Sequence, residues 1–87
     1  MDLNAGMLVR SKAGRDKDCI YVINSVNDEY VYVTDGKTKP ICHLKRKNRK
    51  HLQPIKKAGV ISVMDDEVIR NHIKRFKNHG IQEMDVL

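Results

Sequence analysis

The spacing of apolar residues changes once along this chain, at Ala58-Gly59. Before that point apolar residues come in short runs, several alternating with polar ones, as half-buried strands require. After it they recur at helical intervals. A chain with this single switch of period is expected to build a small β unit over residues 1–57. A helical extension over residues 58–87 is expected to pack on or beside that unit.

Five runs have strand character: "MLVR" (7–10), "CIYVINSV" (19–26), "YVYVT" (30–34), "ICHL" (41–44) and "HLQPI" (51–55). In the second, Cys19, Tyr21 and Ile23 fall on one face and Ile20, Val22 and Val26 on the other. Such a strand suits a small, strongly curved sheet with both surfaces partly covered. Asp35-Gly36 is a hairpin signal, and Pro40 suits a strand start or an edge. Five short strands in about 55 residues predict a mostly β fold, a small five-stranded barrel. One C-terminal helix is predicted over 63–79, with Val68, Ile69, His72, Ile73 and Phe76 at helical spacing and Met64 one turn earlier. Ser62 with Asp65 resembles a capping box, although Asp65 or Asp66 can itself be the cap. Gly80 is placed to end the helix in a left-handed turn.

At 87 residues the chain offers one compact core. No apolar run approaches the length of a membrane span and no secretory leader is evident, so a cytoplasmic protein without membrane contact is expected. Cys19 and Cys42 then read as reduced thiols in the core. With His43 and His51 they show no CxxC or HxxxH spacing, so no metal site is expected and no cofactor is implied. His72 and His79 are too far apart to share an ion and are expected on the helix surface or packed. No nucleophile motif, phosphate loop or dinucleotide fingerprint is present, and the chain is not expected to be an enzyme.

The net charge is +6, and it is unevenly spread: residues 1–57 carry 13 Lys/Arg against 6 Asp/Glu, whereas residues 58–87 carry 4 against 5. An anionic partner for the first part is indicated, nucleic acid being the commonest. Two segments concentrate the charge. Residues 11–18 place Lys12, Arg15 and Lys17 around Gly14, where a backbone without Cβ can approach a phosphate closely. The fork of Arg15 can grip two phosphate oxygens. Residues 45–50 place Lys45, Arg46, Lys47, Arg49 and Lys50 within six positions, a cluster that repels itself unless an anion neutralises it. If four to six of these cations neutralise phosphates, log affinity falls against log salt with a slope of about −3 to −5. Replacing Lys45, Arg46 and Lys47 by alanine is expected to weaken RNA binding with the melting temperature nearly unchanged. Tyr30 and Tyr32 share a strand face beside a turn, where they can stack on unpaired bases.

The stretch "GMLVRSKAGRDKDCIYVINSVNDEYVYVTDG" resembles a KOW motif, with Gly6, Leu8, Val9, Gly14 and the Ile20/Val22 strand in the places that pattern expects. The continuation "KRKNRKHLQP" is similar to the end of the SH3-like barrel in KOW-containing large-subunit ribosomal proteins of archaeal and eukaryotic type, and closer to their short bacterial relatives. The resemblance covers roughly residues 3–55. It implies a five-stranded SH3-like barrel that binds RNA, ribosomal RNA first, through the loop at 11–18 and the basic segment at 45–50. Many members carry glycine where this chain has Asp18. A free monomer is expected. The alternative reading is a protein-interaction adaptor of the transcription or translation machinery, docking a ribosomal or transcription protein through the 63–79 helix. In the plainer reading the apolar stripe of that helix covers an open end of the barrel.

Overall fold

The computed structural model of the chain describes residues 3–86, and side chains through residue 78. Five strands, β1 (Met7–Ser11), β2 (Ile20–Val26), β3 (Tyr30–Thr34), β4 (Lys45–Asn48) and β5 (Leu52–Val60), precede one helix, α1 (Asp66–Val86). The sheet runs β4-β3-β2-β1-β5 with every neighbouring pair antiparallel. The fold is therefore mostly β, as its strand-length runs predict. The edge strands β4 and β5 do not pair with each other, so the sheet is open and only loosely barrel-like.

Both faces of the sheet are covered. Met7, Val9, Tyr21, Ile23, Val31, Val33 and Leu52 form one buried cluster with Leu3. Since these residues come from strands as far apart as β3 and β5, the sheet must curl around them. On the other face Leu8 and Val22 pack against Ile69 and Ile73 of α1, with Ile20, Ile55, Ala58, Ile61, Met64 and Phe76 around them. The apolar stripe of the helix thus lies on the outer face of β1, β2 and β5.

β2 contains a register shift between Ile23 and Ser25. One extra residue turns everything beyond it to the opposite face. Val26 consequently packs with the Ile23 cluster, not with Ile20 and Val22 as simple alternation predicts.

The predicted strand at 41–44 is a turn, and the fourth strand is "KRKN" at Lys45–Asn48. Pro40 precedes that turn, and Asp35-Gly36 opens a ten-residue connection rather than a tight hairpin. Asp35 orders its first half: its carboxylate accepts the Lys37 and Lys39 N–H groups at 2.9 and 2.7 Å. Gly36, at φ 72°, lies under the helix start, where a Cβ would collide with the Asp66 carbonyl oxygen. β5 tolerates Pro54 because an edge strand leaves one side of its backbone unpaired.

α1 starts at Asp66 rather than 63, and the cap is Asp65, whose carboxylate accepts the Glu67 and Val68 N–H groups at 2.9 and 3.3 Å. It continues through Gly80 to Val86; one glycine inside a helix costs only about 1 kcal/mol relative to alanine. His72 is half-buried and its Nε2 has no hydrogen-bond partner among the described residues. Burial, then the charge of Arg75, push its imidazole below the ordinary value, against a hydrogen bond with the Gly59 backbone. The His79 side chain lies outside the described residues. No helix among these residues is long and apolar enough to cross a membrane.

Candidate nucleic-acid interface

The loop between β1 and β2 is built around Asp16. Its backbone is closed by Ser11 N–H to the Cys19 carbonyl at 2.9 Å and Asp18 N–H to the Ser11 carbonyl at 2.7 Å. Gly14 sits at φ 90°, and Asp18 also takes a positive φ, 73°. Asp18 therefore stands at a left-handed position of the kind that favours glycine. Aspartate occupies that region more readily than most residues.

Inside this frame the Asp16 carboxylate collects four donors. Lys47 Nζ lies 3.0 Å from one oxygen, and Lys45 Nζ lies 3.3 Å from the other. The Tyr21 hydroxyl donates at 2.8 Å, and the Ser11 hydroxyl lies at 3.0 Å. Lys47 also donates to the Ala13 carbonyl at 3.3 Å. Burial alone would raise the Asp16 pKa, but hydrogen bonds from Lys47, Tyr21, Ser11 and Lys45 outweigh it and hold the carboxyl well below the usual range. Burial, then the adjacent carboxylate, push the Tyr21 phenol up, keeping it a donor. Charged hydrogen bonds of this kind are stronger than neutral ones, most of all away from water.

These contacts divide the expected cations into two groups. Lys47 has only 8% of its side chain exposed, and Lys45 is about one-third exposed; both are held by Asp16. They join the loop to β4 and do not form a free cationic surface. The reason lies in the strand period: side chains alternate across β4, so Lys45 and Lys47 face inward beside Val33 and Val31 while Arg46 faces outward. The basic segment is thus a strand followed by a 3₁₀ turn at Arg49–His51, not a loop.

The remaining cations are outward. Lys12, Arg15, Lys17 and Lys50 are exposed, and their side chains have no hydrogen-bond or ion-pair partner among the described residues. Lys12 N–H donates to the His51 carbonyl at 2.8 Å, so the loop and the 3₁₀ turn lie side by side. Arg49 donates to the Asn27 carbonyl at 2.9 Å. The loop and the basic segment are therefore brought together at two places, Asp16 with Lys45/Lys47 and Lys12 with His51.

Tyr30 and Tyr32 lie on the outer face of β3, half-exposed, and the Arg46 guanidinium sits 4.5 Å from the Tyr30 ring centroid. This pair points away from the Asp16 side of β4, so it forms a second surface separate from the loop. One face of Tyr30 is already covered by the cation. The outward plane of Arg46 adds a stacking surface that the tyrosine pair alone does not supply.

Cys19 and Cys42 are exposed, not core thiols. Cys19 lies ahead of β2 rather than within it, and Cys42 is in the turn before β4. His43 and His51 are exposed too, and among the described residues no three His, Cys, Asp or Glu side chains gather as metal ligands.

Sequence reasoning missed the role of Asp16. The one available signal was an acid set in a basic loop five residues before a strand tyrosine. It also passed over Lys37 and Lys39, exposed on the loop that Asp35 orders. No protein-family model matches the chain, and no curated protein sequence matches it.

Proposed function

We propose that this protein is an RNA-binding module of the KOW type, ribosome-associated, and not an enzyme. It contacts the phosphate backbone of structured ribosomal RNA through the loop at 12–17 and the 3₁₀ turn at 49–51. One observation carries the reading. Asp16 holds the β1–β2 loop against β4, leaving Lys12, Arg15, Lys17 and Lys50 outward and unpaired among the described residues. Exposed like charges held together by a fixed frame raise the local potential and attract a polyanion. Gly14 lies among them, where added side-chain bulk would stand between backbone and phosphate. Double-stranded RNA hides its major-groove base edges, so shape and phosphate contacts suit this surface.

The apolar stripe on α1 supports this reading over the adaptor. Ile69 and Ile73 are buried against the sheet and are not available to a partner protein.

The test is a titration of an RNA stem-loop at several salt concentrations. Four neutralising cations give a log–log slope of about −3 to −4. The variant with Lys12, Arg15, Lys17 and Lys50 all replaced by alanine should lose most of that slope while keeping its melting temperature. A wild-type affinity independent of salt sinks the proposal. The triple replacement of Lys45, Arg46 and Lys47 is not a clean probe, because it removes both cations held by Asp16.

A further inference from the structure

A groove of about 400 Å³ opens on the helix-covered face, between the start of β5 and α1. Its floor is apolar, from Ile20, Pro54, Ile55 and Phe76, and Arg10 and Gln53 stand at its rim. Arg10 donates to the Gln53 side-chain oxygen at 2.5 Å, which joins the two polar side chains of the rim. Three basic residues and no acidic one line the groove. Its volume falls in the range of small-ligand sites, about 300–1,000 Å³.

The groove begins where the basic loop ends. Arg10 precedes Ser11, Ile20 follows Cys19, and Arg10 pairs across the sheet with both Ile20 and Gln53. Gln53 is two residues beyond His51, whose carbonyl binds the Lys12 N–H. The rim of the groove therefore adjoins the two segments that carry Lys12 and Lys50.

From this juxtaposition we infer that the groove takes one unpaired nucleotide of the bound RNA, its base against Phe76 and its polar edge toward Arg10 and Gln53. This rests on the RNA-binding reading above and adds to it a preference for RNA with an extruded base. The chemistry fits each part of the nucleotide. The Phe76 ring offers a stacking face to any base. The fork of Arg10 matches two adjacent acceptors such as guanine O6 and N7. The lack of acidic side chains suits the attached phosphate.

The experiment compares two RNA hairpins of one stem sequence, one fully paired and one carrying a single unpaired guanosine, each titrated against the full chain. The bulged hairpin should bind about tenfold more tightly, the scale of one base stacked on an aromatic side chain. Phe76→Leu keeps an apolar cover over the sheet and removes the ring, and Gln53→Ala changes an exposed rim residue. Both should reduce the advantage to within about twofold of the paired stem, leaving paired-stem affinity and salt slope as in wild type. Equal binding of the two hairpins by wild type overturns the inference and leaves the RNA reading standing. So does an advantage that survives both substitutions. Failure of both hairpins to bind in a salt-dependent way overturns the RNA reading and this inference together. Urea midpoints of the two variants near wild type establish that the loss is local.

Discussion

Removing the Asp16 carboxylate is the perturbation with the most consequences in this fold. The group is 11% exposed and accepts from Lys47, Lys45, Tyr21 and Ser11. Asp16→Ala leaves the Lys47 ammonium, itself 8% exposed, with only the Ala13 carbonyl, and leaves the Tyr21 hydroxyl without its acceptor. Breaking a buried ion pair by deleting one partner costs about 3–5 kcal/mol. Lys45 is more exposed and can return to water, so about 3 kcal/mol is expected, a fall in Tm of more than about 12 °C for a domain of this size. Asp16→Asn keeps the shape and one acceptor and should cost less, about 2 kcal/mol. Asp16→Leu combined with Lys47→Met should recover part of the loss, because no unpaired charge stays behind. The assay is urea unfolding, repeated across pH. A carboxyl whose folded pKa lies below its unfolded value near 3.8 stabilises the fold above that value. Wild type should therefore lose this contribution as pH falls below about 4, and Asp16→Asn should not. If both single variants unfold within about 0.5 kcal/mol of wild type, the carboxylate does not organise the loop and the reasoning fails.

Two further substitutions probe the frame. Gly36→Ala should destabilise by about 2–3 kcal/mol in urea unfolding, because a positive φ and a collision with the Asp66 carbonyl act together; a loss under about 0.5 kcal/mol refutes that close approach. Asp18→Val places a β-branched side chain at φ 73° and should cost about 1–2 kcal/mol, whereas a neutral result means the loop leaves its turn by another path.

Much of the β-sheet is legible in the sequence because hydrophobic alternation and burial agree there. "YVYVT" forms β3, with Val31 and Val33 inward, and Ile20/Val22 against Tyr21/Ile23 correctly anticipates a sheet covered on two faces. The fourth strand is not legible, since its inward positions are lysines. Only Asp16, some 30 residues earlier, makes "KRKN" acceptable facing the core, and no local pattern reports such a pairing. The apolar "ICHL" is the more strand-like text and is a turn. The bulge after Ile23 is silent for a similar reason: "NSV" alternates normally, and the shift appears only when β3 is laid beside it. For the candidate site, the clustering of basic residues was readable, and the division between inward and outward cations was not. That division depends on the strand period of β4 and on the loop folding over it.

The central claim concerns the outward cations, and amide chemical-shift mapping during titration with an RNA stem-loop tests it residue by residue. Perturbations should concentrate at 12–17 and 49–51, with line broadening that recedes as salt is added. Perturbations confined to the exposed side of α1, with 12–17 and 49–51 unmoved at saturating RNA, would contradict it.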